Sequence, residues 1–183
     1  MRKLIHFAFL GTALFAMTLT SCKKDSNSDD NNGGGGHVTT DGLNTGQAII
    51  KAKISGAYTT DYESAVLASA AMKMNDQILL SSSTALQGTS KLDQLAVTLP
   101  ANIQSGTYKL KDIDQALIMF NHSNTIGALP DTWTASAAEE SELSVTITKI
   151  TGSEIEGNFN GELMSSANGG EKITATGSFA GKF

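Results

Sequence analysis

Cysteine occurs once in this chain of 183 residues, at Cys22, and arginine once, at Arg2. A single thiol excludes an internal disulfide and any zinc–thiolate cluster. The fold must therefore rest on its hydrophobic core. Histidine is nearly as scarce, with His6, His37 and His122. No multi-histidine metal site can be built from these, and a Ser-His-Asp triad would have to use His122. Aromatic residues make up 6% of the chain and include one tryptophan. Tryptophan, tyrosine and arginine anchor most tight interfaces, so their scarcity argues against a tight, specific site. Only one apolar run, residues 4–19, approaches the ~18 residues that a membrane span needs.

That run follows Arg2 and Lys3 and ends in Leu19-Thr20-Ser21, directly before Cys22. A basic start, an apolar stretch and a small-residue exit make a secretory signal. With cysteine next, the segment resembles a bacterial lipoprotein signal, which implies cleavage after Ser21 and acylation of Cys22. Several acyl chains on one residue anchor a protein stably. The expected membrane partner is thus reached through lipid and not through a spanning helix. Residues 23–36 (KKDSNSDDNNGGGG) contain no apolar side chain, so they cannot offset the entropy of ordering. Residues 22–46 are read as a flexible tether and 47–183 as one domain. Asp29-Asp30 after the cysteine resembles the export signal of surface lipoproteins of Bacteroidota-type bacteria, which implies an outer-membrane, surface-exposed location.

From Cys22 onward the chain has 11 lysines, no arginine and 18 acidic residues, a formal charge of −7. Nucleic-acid binding needs a basic patch, and phosphate recognition favours the planar fork of arginine. Neither is present, so nucleic acid is excluded as a partner and nucleotides are poor ligands.

The domain reads as all-β. Residues 47–54 (QAIIKAKI) put Ala48, Ile50, Ala52 and Ile54 on one face and Lys51 and Lys53 on the other. Leu95, Val97 and Leu99 alternate likewise, as do Leu143, Val145 and Ile147. Further strands are predicted over 76–83, 93–99, 106–111, 115–121, 132–135, 142–150, 154–164 and 171–183, with Asn168-Gly169 as a turn. Residues 64–74 (SAVLASAAMKM) fit a helix by alanine content and the Thr60-x-x-Glu63 capping pattern. They also fit a strand with Val66, Ala68, Ala70, Met72 and Met74 inward, and strand is preferred. Short strands without a convincing long helix predict an antiparallel β-sandwich, with an open β-barrel as the alternative.

Gly157-Asn158-Phe159-Asn160-Gly161-Glu162-Leu163 and the closing Gly177-Ser178-Phe179, after Gly106-Thr107-Tyr108 earlier on, resemble a group of small Bacteroidota lipoproteins. That group ends in a Gly-x-Phe-x-Gly-x-Leu hairpin and a Gly-x-Phe strand. The resemblance implies a compact β domain on the cell surface and brings no catalytic residues with it. In strands, glycine marks bulges or close backbone approach, so Phe159 and Phe179 are expected in the core.

No cofactor or metal is expected. Asp112-x-Asp114 offers oxygens to calcium but lacks the further ligands of a calcium loop. Glu154 and Glu156 are two apart and read as solubilising residues of a strand. His122 reads as a surface or loop histidine. Trp133 is either a core residue or a sugar-binding platform, with Tyr58 and Tyr108 as its candidate companions. Function is expected to be non-catalytic: a carbohydrate- or small-ligand-binding module, or alternatively a structural subunit of an envelope protein complex.

Overall fold

The computed structural model describes residues 37–64, 66–85, 91–125, 128–139, 141–165 and 170–183. The signal segment, Cys22, the tether through Gly36 and the Asn168-Gly169 turn lie outside the described residues. The rest is almost entirely strand. In chain order these are β1 (Gln47–Gly56), β2 (Thr60–Glu63), β3 (Ser69–Lys73), β4 (Gln77–Ala85), β5 (Leu92–Pro100), β6 (Gly106–Lys109), β7 (Leu117–Ser123), β8 (Asp131–Ser136), β9 (Ser144–Ile150), β10 (Glu154–Ser165) and β11 (Lys172–Lys182).

They form one antiparallel sheet in the order β2-β1-β11-β10-β8-β7-β5-β4-β3. β10 is long enough to serve two neighbours on one side. Its first half pairs with β9, which carries β6, and its last residues pair with β8. The sheet curls until β3 returns to β1. There the Ala71 N–H donates to the Gly46 carbonyl at 3.0 Å. The Ala48 N–H donates to Ser69 Oγ at 3.1 Å, and the Ile50 N–H to Ser64 Oγ at 2.8 Å. The seam between β3 and β1 is thus closed by one backbone bond and by the Ser69 hydroxyl, while Ser64, just past β2, bonds Ile50 through both its hydroxyl and its N–H (3.0 Å).

The alternating residues face inward as their period dictates. Ile50, Ile54, Leu95, Leu99, Leu143 and Phe120 are fully buried. The glycine–phenylalanine rhythm has a direct packing cause. Gly157 lies opposite Phe179 in the ladder, and Gly177 opposite Phe159. A Cβ on Gly157 would meet Phe179 Cζ at 2.6 Å, and one on Gly177 would meet Phe159 Cζ at 2.5 Å. Each ring lies across the glycine facing it, and the two rings stack at 6.5 Å. Burying each ring contributes about 1.5–3 kcal/mol.

Two expectations need correction. Residues 64–74 are not one strand. Val66–Ala68 form a 3-10 turn, and β3 begins at Ser69. The phase of β3 is set by β4, where Ala71 pairs with Leu80 and both point inward. Ala71 and Leu80 sit over Gly181, where a side chain would collide with them. A one-residue slip of phase reverses every side chain. Met72 and Met74 are therefore exposed, at 47% and 49%, and not inward. The folded domain also starts before Gln47. Val38 and Leu43 are buried with Ala180 on the outer face of β1 and β11. Thr40 bonds Glu156 through both its N–H (2.9 Å) and its hydroxyl (2.8 Å).

Candidate functional site

Because β5 runs from one end of the curled sheet to the other, its two ends separate two regions by roughly 25 Å. Asp93 lies at one end and Pro100 at the other.

At the Asp93 end, side chains from four segments converge. His122 Nδ1 donates to Asp93 Oδ1 at 2.7 Å, and His122 Nε2 lies 3.1 Å from Asn124 Oδ1. Both members of the His122–Asp93 pair are buried. Tyr58, from the loop between β1 and β2, stacks on the His122 ring at 4.0 Å, and its hydroxyl donates to Asp93 at 3.3 Å. Burial, with the Asp93 charge second, raises the Tyr58 phenol above its ordinary value. Burial likewise pushes Tyr62 up to about 12, against the opposing bond with Ser82 at 2.7 Å. Both phenols are neutral at physiological pH. Trp133 is 3% exposed and packs on Phe120 (6.0 Å) and Tyr58 (6.4 Å). Its Nε1–H is buried without a hydrogen-bond partner.

This arrangement corrects one sequence reading and decides between the two left open for Trp133. His122 is not a surface histidine, because its partner Asp93 lies directly opposite it across β5 and β7 and holds it inside. Trp133 takes the core alternative and offers no open ring face, because its strand phase turns it inward with Ala135. Among the described residues no serine or threonine hydroxyl is bonded to His122.

At the Pro100 end the surface opens into a cleft of about 800 Å³. Three connections build it: the β3–β4 turn, the β5–β6 loop and the segment between β6 and β7. The Ala101 N–H donates to the Asp76 carbonyl at 2.9 Å and ties the first two together. Tyr108, half-buried on β6, is its one aromatic side chain, and the Tyr108 hydroxyl donates to the Gln104 carbonyl at 3.1 Å. Asn75, Asn102, Gln104 and Gln115 line the same cleft. Three carboxylates, Asp76, Asp112 and Asp114, complete the polar lining. Ile103 and Ile113 give it an apolar base. Gln115 is the one described non-glycine residue with positive φ, at 66°, a strained conformation that recurs at binding sites.

Of the three aromatic candidates, Tyr58 and Trp133 come together inside the packed end, and Tyr108 alone reaches the cleft. The two aspartates read as a weak calcium loop also belong to the cleft. Among the described residues no three His, Cys, Asp or Glu side chains are grouped to hold a metal ion. The cleft amides were missed because amides in turns carry no motif. One signal was available: in an antiparallel meander alternate connections share an end, which brings residues 73–77 and 100–106 together.

Glu156 needs correction too. It is 7% exposed and bonds Thr40 and Lys149, while Glu154 pairs with Lys149 at 2.7 Å. Glu156 is buried on the outer face, level with Ala180 and under the segment that carries Val38, Thr40 and Leu43. Burial by itself would raise the Glu156 pKa. The two Thr40 bonds and the Lys149 ammonium outweigh it and hold the carboxyl below its ordinary value.

No family model, curated protein or solved structure matches this chain. No helix of the described residues is long and apolar enough to cross a membrane.

Proposed function

We propose that this is a lipid-anchored outer-membrane protein whose β domain binds a carbohydrate, without chemistry, in the cleft beside Tyr108. The cleft's composition is the observation that carries the reading. Sugars are recognised by an aromatic ring against their C–H face and by planar amides and carboxylates that bond their hydroxyls. Tyr108, the four amides and the three aspartates supply that set around one concavity. The location rests on Leu19-Thr20-Ser21-Cys22 and the apolar-free segment after it.

The test is a thermal-shift screen of the full chain in detergent against a glycan panel, since a ligand of the folded state raises the melting temperature. The reading predicts a shift with one glycan class that Tyr108→Ala removes. A shift that survives Tyr108→Ala, or none with any glycan in a folded sample, contradicts it. Labelled palmitate incorporation that is lost in Cys22→Ser tests the anchor.

A second reading, a subunit of an envelope complex, is favoured by two exposed apolar side chains close together, Met72 on β3 and Met74 just after it. It predicts crosslinks from residues 69–74 to a protein partner on intact cells.

A further inference from the structure

We infer that the outer face of β3, β4, β5, β7 and β8 pairs with the same face of a second copy of this chain, sheet against sheet. The inference does not rest on the glycan reading. These five strands are neighbours in the sheet. Among the described residues, every outward ladder position on them is uncharged. The ladders align those positions in rows across the face. The central row runs Ala70, Ser81, Ala96, Met119 and Thr134. The row nearer the cleft is more apolar, with Met72, Leu79 and Leu117. The row beyond the centre carries the amides Gln94 and Asn121. At the β8 border, both carboxylate oxygens of Glu139 are taken by the hydroxyls of Thr134 and Ser136. The outer face of the remaining strands differs in kind. There Lys51 pairs with Glu63, Lys149 with Glu154 and Lys172 with Glu162.

Two observations select a copy of the chain as the occupant. The first is charge. From Cys22 onward the chain carries a formal −7, so two copies repel, and they meet at least cost through a face without charge. The second is self-complementarity, which a two-fold interface requires. Serine, threonine, asparagine and glutamine groups both donate and accept, so each can face its own copy, whereas an ammonium only donates and a carboxylate only accepts. A two-fold axis along the strands sets each row against its own kind, apolar on apolar and amide on amide. Small side chains in the central row let the sheets reach the usual spacing of ~10 Å, and the flexible Met119 fills the gaps they leave. With ~4.8 Å between strands and ~3.4 Å per residue, the face measures roughly 24 by 17 Å. That is the small end of specific interfaces, so the dimer is weak, with a Kd on the order of 10–100 μM.

The experiment is sedimentation equilibrium of the full chain in density-matched detergent, carried up to about 1 mM, where monomer should pass into dimer. Ala96 lies on the middle strand, at the axis, so Ala96→Glu sets two like charges face to face. It should weaken the dimer at least about tenfold. Met119→Lys should do the same with the opposite sign. Thr176→Glu adds the same charge as Ala96→Glu but on the outer face of β11, and should leave the Kd within about twofold. Ala96, Met119 and Thr176 are all part-exposed, and an unchanged melting temperature will show the variants folded. In a Cys22→Ser background, Ala96→Cys should crosslink to itself with a short bismaleimide and Thr176→Cys should not. Where Ala96→Glu does lower the melting temperature, Met119→Lys and the crosslink decide. Monomer at every concentration overturns the inference. So does a dimer that both face variants leave intact, or one that Thr176→Glu weakens equally.

Discussion

The two ends of the curled sheet use the same residue types for opposite purposes. At the end built around His122, an aspartate, a histidine, tyrosines and a tryptophan are packed together, and nearly every polar atom has a partner. At the end built around Tyr108, aspartates, amides and a tyrosine surround open space, and the carboxylates are free of ion pairs. A buried charge needs a partner, because desolvation otherwise costs several kcal/mol. A charge beside water needs none. Burial and pairing therefore go together at the first end, and exposure leaves the second end free to meet a ligand. The same residue type supports the fold in one place and, in the function proposed above, recognition in the other.

The sharpest way to break this comparison is at the packed end. Asp93→Ala leaves His122 buried without its carboxylate and should cost about 3–5 kcal/mol in urea unfolding. Asp112→Ala at the open end should cost no more than about 0.5 kcal/mol. Equal losses would remove the distinction. Next comes Trp133→Ala, which should cost about 3–5 kcal/mol through the cavity it leaves. Trp133→Phe deletes the unpartnered indole N–H with some of the ring, so it should recover most of that loss. Both variants should keep glycan affinity in whatever fraction remains folded. Tyr108→Ala should do the reverse, with binding lost and stability lowered by about 1 kcal/mol or less.

Acid titration sharpens the comparison further. Glu156 has a lowered folded-state pKa, so its bonds add stability above the ordinary glutamate value of 4.5. That stability is lost as the pH falls through the folded value. Wild type should therefore lose more stability between about pH 5 and 3 than Glu156→Gln does. A parallel dependence in the two would show that the Thr40–Glu156 contact is not formed. The smallest effect is at Gln115, where Gln115→Gly removes a left-handed side chain and should change stability by less than about 1 kcal/mol, in the stabilising direction.

Much of the fold was legible in the sequence because strict alternation survives wherever one face is buried. The strands through Ala48–Ile54, Leu95–Leu99 and Leu143–Ile147 point as their period requires. Phe159 and Phe179 sit where their glycine spacing implied. The phase of β3 was not legible, since alanine, serine and methionine fit either face and only the pairing of Ala71 with Leu80 decides. The start of the domain was missed because Val38 and Leu43 are isolated apolar residues in a polar stretch. At the candidate site, Tyr108 was identifiable as an aromatic candidate, but its separation from Trp133 was not. That separation depends on which end of the sheet each strand presents. The His122–Asp93 pair was equally hidden, because it joins residues 29 apart through a strand register that no local pattern reveals.

The most direct test of the account is an amide and indole NMR map of the full chain titrated with the best glycan from the panel. Shifts at residues 73–76, 100–104, 108 and 112–115, with the single Trp133 indole signal unmoved, are the predicted result. Shifts at Tyr58, Asp93, His122 and the Trp133 indole, with the cleft residues still, would contradict it.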